Sequence, residues 1–199
     1  MTAAILQQQK ARVRADVRRR MDEIPPEHRA IASAALCDRL GTSTLWSRSK
    51  SVLMFVPLSD EPNIRPLLEL GLEQGKEISI PGYIKASQIY GAFQIRNPVN
   101  DLVRGQFNVP EPAPGCPAVA LNQLDLILVP GVAFDLDGRR LGRGKGFYDR
   151  LLSEVRGICC GLLFEEQLTP EIPVEPHDVR LHCLVTPERW HDVPAGVRY

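Results

Sequence analysis

The sequence predicts an α/β fold, with a single three-layer domain that has a mostly parallel sheet and helices on both faces. Strand-like apolar segments alternate with helix-like segments along the chain, which is the pattern of an α/β protein. Several strands are apolar throughout, as at 158–164, and such runs are typical of parallel strands covered on both faces. A length of 199 residues suits one domain with one core, so we expect the domain to span residues 1–199.

The first elements are predicted to be helical. Residues 3–22 carry apolar side chains at helical intervals, and the pair Pro25 and Pro26 ends this helix. A second helix then extends to about Leu40. We expect both helices, within about 3–40, to pack on the α/β core.

A compact strand is predicted at 51–56, followed by a helix that Asn63 caps and Gly75 terminates. We interpret the proline-rich stretch 108–117 as a rigid surface connection rather than a domain boundary. A further helix is predicted at 146–155. The later strands are predicted at 77–81, 90–95, 124–129, 158–164 and 181–185.

The charge balance excludes some classes of partner. The 24 basic and 24 acidic residues cancel, so no global field favours nucleic acid or an anionic membrane. No apolar run approaches the roughly 18 residues that a membrane span needs, and the start lacks a signal-peptide pattern. We therefore expect a soluble, cytoplasmic protein that binds neither nucleic acid nor membrane. We also expect a monomer.

The cysteines indicate reduced thiols. They are odd in number and show no C-x-x-C spacing, so neither a disulfide framework nor a zinc site is indicated. No base stands at a recognisable spacing to either Cys159 or Cys160, and the four histidines lie in no recognisable catalytic arrangement.

Residues 129–150 join an apolar strand to a predicted helix through a loop rich in glycine and cations. Gly142, Gly144 and Gly146 occupy every second position, which leaves backbone N–H groups uncovered so that a phosphate can approach them. The helix that begins near Gly146 adds the positive end of its dipole.

Charged side chains complete this loop. Arg140, Arg143 and Lys145 supply charge opposite to that of phosphate, with Arg143 and Lys145 as the phosphate clamps. Asp149, in the first helical turn, offers an oxygen to a magnesium ion held by the phosphates. The pattern predicts a nucleoside triphosphate site, and the open alternative is a glycine-rich surface hairpin with solvated cations.

Two better-known phosphate loops do not fit the stretch. A P-loop ends in Gly-Lys-Ser/Thr, whereas Lys145 is followed by Gly146, and Arg139 stands where that loop requires its first glycine. A dinucleotide-binding loop requires a third glycine where Phe147 stands.

The stretch 130–150 resembles the signature of the 5-formyltetrahydrofolate cyclo-ligases (5,10-methenyltetrahydrofolate synthetases), P-G-x-x-F-D-x-x-G-x-R-L-G-x-G-x-G-x-Y-D-R. Every fixed position of that signature is present. The resemblance extends to Lys10 and Arg14, and to the stretches 56–61, 109–112, 172–180 and 184–186.

The resemblance implies a Rossmann-like fold of the NagB/RpiA/CoA-transferase-like type. It also implies ATP- and Mg²⁺-dependent conversion of 5-formyltetrahydrofolate to 5,10-methenyltetrahydrofolate, with release of ADP and phosphate. The chemistry explains the use of ATP, because the formyl oxygen leaves badly until it carries a phosphoryl group. No covalent enzyme nucleophile is needed, only alignment and charge stabilisation.

The resemblance assigns roles to residues. The implied catalytic residues are Arg143, Lys145 and Tyr148, the substrate-binding residues are Val56, Glu61 and Phe147, and the metal ligands are Asp149 and Asp178. The implied ATP-binding residues are Lys10, Arg14, Arg140, Leu141, Gly142, Arg143, Gly144, Lys145, Gly146 and Tyr148.

Other interpretations of these residues stay open. Lys10 and Arg14 share one helix face, but a solvated basic helix gives the same pattern. Glu61 stands in an exposed loop, where a carboxylate can accept two parallel hydrogen bonds from the aminopyrimidine edge of a pterin, and Asp60 is its rival. Asp178 also suits a turn cap.

The aromatic pair has structural alternatives too. Tyr148 also suits a helix anchor in the core. The family often has Tyr where Phe147 stands, and Phe can stack on a folate but cannot donate a hydrogen bond.

Two other functions are compatible with the sequence. One is a paralogue that uses the same ATP site on another N-formyl or amide substrate. The other is a non-catalytic protein that binds folate or nucleotide.

Overall fold

The computed structural model describes residues 2–105, 109–175 and 178–194. The helices are α1 (Ala3–Asp22), α2 (Pro26–Gly41), α3 (Thr44–Arg48), α4 (Arg65–Glu73) and α5 (Phe147–Leu152). The strands are β1 (Ser51–Leu53), β2 (Glu77–Ile84), β3 (Ile89–Ile95), β4 (Leu102–Arg104), β5 (Pro110–Pro112), β6 (Ala118–Val119), β7 (Leu126–Val129), β8 (Ala133–Phe134), β9 (Arg140–Leu141), β10 (Ile158–Leu162), β11 (Cys183–Val185) and β12 (Trp190–Asp192).

The main sheet has eight strands in the order β12-β11-β10-β7-β1-β2-β3-β6. Its five central strands, β11, β10, β7, β1 and β2, run parallel, whereas β12, β3 and β6 pair antiparallel at the edges. The predicted mostly parallel sheet is therefore confirmed. The carboxyl ends of β1 and β7 lie side by side, which places the segments that follow them at one edge of the sheet.

Helices cover both faces of this sheet, as predicted. Successive residues of a strand point to opposite faces, so Val52 packs with α2 and α4 while Leu53 packs with α5. Both residues are fully buried. Burial on both faces explains why the central strands are apolar throughout.

A smaller apolar cluster attaches α1 to the core. Val17 and Met21 of α1 pack against Val132, Leu141 and Phe164, near the hairpin of β8 and β9. This hairpin directly precedes the glycine-rich loop, so α1 lies beside that loop. These contacts agree with the expected packing of the N-terminal helix on the core. A single domain over residues 1–199 stays a prediction, because that range includes residues outside the described ones.

The differences from the predicted elements are local. The predicted Asn63 cap is wrong, because α4 begins at Arg65 with Ile64 at the cap position, and the Asn63 side chain only accepts a bond from the Arg65 N–H at 3.3 Å. Gly75 follows the end of α4 with a φ of 73°, which agrees with the predicted terminator.

The stretch 108–117, which we interpret from the sequence as a rigid surface connection, contains β5, and this strand pairs with β4 in a two-stranded sheet. The first residue of the stretch, Asn108, lies outside the described residues. The sequence also gave no signal for α3, β4, β6, β8, β9 or β12, which are short elements of two to five residues. The predicted helix at 146–155 is shorter, six residues long. Within the described ranges, no helix has the length and apolar character that crossing a membrane requires.

One buried carboxylate organises the turn between β8 and β9. Asp135 accepts bonds from the N–H groups of Asp137 and Arg139 at 3.1 and 3.0 Å, and from the Ile172 N–H at 2.9 Å. It also forms an ion pair with Arg139 at 3.5 Å. These bonds thereby fix the turn to the segment around Ile172.

We expect Asp135→Ala to lower the free energy of unfolding by about 2 to 4 kcal/mol, because it leaves buried N–H groups and a partly buried arginine without acceptors. Urea unfolding followed by circular dichroism measures this. The exposed neighbour in the same turn is the control, and Asp137→Ala should change stability by less than about 0.5 kcal/mol. Equal effects of the two substitutions would contradict the assignment.

Candidate active site

A cavity of about 510 Å³ opens beyond the carboxyl ends of β1 and β7. Its wall includes Val56, which follows β1, and Pro130, which follows β7, together with residues of α1 and the glycine-rich loop. Ligands of parallel α/β sheets gather at this edge. Every residue that the sequence assigned to ATP, substrate or metal, from Lys10 to Asp178, lines this one cavity.

The glycines of the loop have conformational and steric reasons to be glycine. Gly144 and Gly146 have φ values of 96° and 63°, in the left-handed region that favours glycine. A Cβ added at Gly142 would lie 2.7 Å from a guanidinium nitrogen of Arg140. All three glycines line the cavity.

Arg140 lies on the inner side of this loop and is only 8% exposed. Its guanidinium group donates to Asp149 at 2.5 Å and lies 5.6 Å from the centroid of the Tyr148 ring. Leu141 beside it is buried in the cluster formed with α1, so it packs the loop onto the core. Asp149 thus lines the cavity with a cation already beside it.

Arg143 and Lys145 are the more exposed cations of the loop. Arg143 donates to Asp60 at 2.6 Å and to Glu61 at 3.4 Å. These bonds connect the glycine-rich loop to the segment after β1. Both cations border the cavity.

Glu61 is not the exposed loop residue that the sequence suggested, because its side chain is only 7% exposed. Its second carboxylate oxygen accepts a bond from the Leu58 N–H at 3.0 Å. Burial raises the pKa of Glu61 above its ordinary value, although the Leu58 bond and Arg143 act in the opposite direction. Asp60, the rival, is the more exposed of the two and does not line the cavity.

α1 contributes two cations from one face, as its four-residue spacing predicted. Lys10 is buried and donates to Glu175 at 2.8 Å and to Asp178 at 3.1 Å. Burial disfavours the charged ammonium group, but the two carboxylates outweigh that effect and raise the pKa of Lys10. Arg14 donates from Nε to the Gly142 carbonyl at 2.9 Å, so α1 contacts the glycine-rich loop directly.

Aromatic side chains form another part of the wall. The Phe147 ring lies 5.0 Å from the ring of Tyr90 and 6.0 Å from that of Tyr83, centroid to centroid. Tyr148 packs partly into the core, in agreement with its reading as a helix anchor, and also borders the cavity. Burial raises the pKa of Tyr148, so its hydroxyl stays protonated.

The two predicted metal ligands, Asp149 and Asp178, line the cavity, each bonded to a cation. Among the described residues, no group of three or more His, Cys, Asp or Glu side chains could hold a metal ion. A magnesium ion at these carboxylates would therefore need phosphate or water oxygens for its other positions.

Glu175, Glu111 and Tyr90 are among the cavity residues that received no role from the sequence. Glu175 lies in the stretch 172–180 and Glu111 in 109–112, so the resemblance covered both without singling them out. Tyr90 occupies a strand position that gives no local signal of function.

The five cysteines are free thiols. Burial raises the pKa of Cys37 to about 11 and that of Cys159 to about 12. Neither of these thiols lines the cavity.

A family model, the 5-formyltetrahydrofolate cyclo-ligase family, matches residues 6–187. The 5-formyltetrahydrofolate cyclo-ligase of Mus musculus is 31% identical, over 98% of this chain and 100% of its own length. That of Mycolicibacterium smegmatis is 35% identical, over 74% and 78%. The NMR structure of Aquifex aeolicus 5,10-methenyltetrahydrofolate synthetase superposes with a TM-score of 0.84 at 31% identity, covering 94% of each chain.

The raised pKa of Glu61 predicts a pH-dependent stability difference between the protein and its Glu61→Gln variant. A carboxyl group whose pKa is higher in the folded state binds protons more tightly there, so ionisation favours unfolding. The wild-type protein should lose stability relative to Glu61→Gln as pH rises above the ordinary value of 4.5.

Denaturant unfolding of both proteins between about pH 4 and pH 8 measures this difference. The Asp60→Asn variant is the control, since Asp60 is more exposed. A wild type that gains stability relative to Glu61→Gln as pH rises would contradict the predicted direction.

Proposed function

Because the chain belongs to the 5-formyltetrahydrofolate cyclo-ligase family, we propose that it catalyses the ATP- and Mg²⁺-dependent cyclisation of 5-formyltetrahydrofolate to 5,10-methenyltetrahydrofolate, releasing ADP and phosphate. The observation that carries the proposal is one cavity that joins a glycine and cation loop to an acidic and aromatic wall. The first part suits a polyphosphate, and the second suits a pterin.

The reaction explains why the two parts must meet. The N5-formyl group is an amide, so its carbon is a poor electrophile and its oxygen a poor leaving group. Transfer of the γ-phosphoryl group to this oxygen turns it into phosphate, and N10 of the same molecule then closes the ring. The protein has to align the formyl oxygen with the γ-phosphate and stabilise the transferring group.

The glycine-rich loop and α1 would bind the triphosphate. Arg143 and Lys145 border the cavity from the loop, and Lys10 and Arg14 border it from the helix. Each charge-assisted bond to phosphate contributes roughly 1.5 to 3 kcal/mol. The protonated hydroxyl of Tyr148 is a suitable donor to oxygens of the transferring group.

Asp149 and Asp178 would hold magnesium together with the phosphates. Their carboxylates are the hard oxygen ligands that this ion prefers, and the small number of protein ligands suits an ion that keeps phosphate and water oxygens. When bound, the ion neutralises charge on the triphosphate. Lys10 holds one of these carboxylates in place and Arg140 holds the other.

Val56, Glu61 and Phe147 would contact the folate. Glu61 is buried at the cavity, where a carboxylate can accept parallel hydrogen bonds from the aminopyrimidine edge. Phe147 presents an aromatic ring for stacking but no hydroxyl group. It follows the last glycine of the loop directly, so the proposed folate and nucleotide contacts are adjacent in the chain.

An assay of the purified protein with Mg-ATP and 5-formyltetrahydrofolate tests the activity. We expect the absorbance of the methenyl product to appear, with one ADP formed for each product molecule. Without ATP, no methenyl product should form. ATP use without folate would instead indicate another substrate. Binding of both ligands without turnover would indicate a binding protein.

Lys145→Ala should reduce kcat/KM for ATP by roughly 10- to 100-fold, because one charge-assisted phosphate bond is lost. Stability should change by less than about 0.5 kcal/mol, since Lys145 is exposed. The matched control is Lys85→Ala, which removes an exposed lysine from the turn between β2 and β3. Unchanged ATP kinetics in Lys145→Ala would remove this residue from the proposed triphosphate contacts.

A further inference from the structure

Glu111 is a buried carboxylate of the cavity wall that the proposed contacts do not use. The residue is 9% exposed and lines the cavity from β5. Its Oε1 accepts a bond from the Tyr90 hydroxyl and its Oε2 accepts one from the Tyr83 N–H, both at 3.3 Å. Both donors are neutral and both bonds are long. A carboxylate has about four acceptor positions, so Glu111 can accept further bonds from a ligand.

The charge of Glu111 distinguishes it from the other acidic side chains around the cavity. It forms no ion pair with any lysine or arginine of the described ranges, whereas its acidic neighbours each do. The pairs are Asp149 with Arg140, Glu61 with Arg143, and Glu175 and Asp178 with Lys10. A buried charge without a counter-charge is costly, and a cationic ligand would supply the missing charge.

Tyr90, whose hydroxyl bonds to this carboxylate, belongs to a cluster of three aromatic rings. The ring centroids of Tyr83 and Tyr90 lie 5.4 Å apart, and Phe147 lies 5.0 Å from Tyr90. The faces of such rings attract cations. Burial and the nearby carboxylate raise the pKa of Tyr90 to about 12, so its hydroxyl remains a donor that holds Glu111 in place.

The proposed reaction creates a cation from a neutral group. The γ-phosphoryl group leaves ADP and bonds to the formyl oxygen, which gives the carbon iminium character. N10 then bonds to that carbon, the carbon–oxygen bond breaks with phosphate as the leaving group, and the N10 proton passes to the departing phosphate. The product carries one positive charge shared across N5, the carbon and N10.

On the basis of this proposed function, we propose that Glu111, with the rings of Tyr90 and Phe147, stabilises the positive charge that develops on the one-carbon unit. The cavity then has two electrostatic parts. Lysine and arginine side chains receive the anionic triphosphate, and the carboxylate with its aromatic neighbours receives the cation. An interaction that strengthens only as charge develops lowers the barrier rather than the energy of the bound substrate.

A pair of ligands that differ mainly in charge tests this role. Dissociation constants of 5-formyltetrahydrofolate, measured without ATP, and of the cation 5,10-methenyltetrahydrofolate should be compared for the wild type and Glu111→Gln. We expect the variant to bind the cation on the order of 10- to 100-fold more weakly and the neutral formyl compound less than about threefold more weakly. The kcat should fall by a factor similar to that for the cation, with KM for 5-formyltetrahydrofolate nearly unchanged.

The control is Glu154→Gln, which removes the charge of an exposed glutamate after α5 and should alter neither constant. Equal weakening of both ligands, or of neither, in Glu111→Gln would overturn the proposal. Should Glu111→Gln fail to fold, Tyr90→Phe removes the bond that orients the carboxylate. Tyr90→Phe should then weaken the binding of the cation selectively, by a smaller factor than Glu111→Gln. An unchanged ratio of the two dissociation constants would overturn the proposal.

The binding comparison needs no turnover and is therefore independent of the activity assay. An inactive wild-type protein that still prefers the cation through Glu111 would contradict the proposed function alone. An active protein without that preference would contradict the role of Glu111 alone.

Discussion

The cavity depends on the compensation of charge. Cations from α1 and from the glycine-rich loop converge on one space, where like charges repel unless each has a counter-charge. Carboxylates provide these counter-charges, since Asp149 contacts Arg140, and both Glu175 and Asp178 contact Lys10. Lys10 and Arg140 are thus desolvated and oriented when the chain folds. A triphosphate with magnesium would exchange one set of ion pairs for another, instead of desolvating these two cations for the first time.

The geometry of the loop rests on the segment before it. Asp135 binds the turn of the β8–β9 hairpin from inside, and the hairpin delivers Arg140 and Leu141 to the wall of the cavity. A Cβ at Gly138 would lie 2.7 Å from the Leu181 carbonyl oxygen, so the turn also packs closely on the segment before β11. The glycine-rich loop after the hairpin can therefore keep a defined position. The hairpin before it and α5 after it are both packed on the core.

The sequence predicts best what is contiguous in it. The loop chemistry from Arg140 to Asp149 occupies one short stretch, and the central strands are apolar throughout because helices cover both faces, so the loop and the sheet were both predictable. Glu111 and Tyr90 were not, because they reach the cavity through the pairing of β2 with β3 and of β4 with β5, which leaves no local pattern. Glu61 lines the cavity with Val56, but its burial and its bonds to Leu58 and Arg143 could not be seen from its loop.

The N-terminal helix shows why polar contacts matter for this site even where they add little stability. Apolar contacts hold α1 on the core through Val17 and Met21, and such contacts tolerate sliding along a helix axis. The bonds of Lys10 and Arg14 do not tolerate it. A shift of α1 by one turn would move Lys10 by about 5.4 Å and leave two carboxylates near residue 178 without their cation. The ion pairs therefore fix the register of the helix, and with it the position of two of the cations that border the cavity.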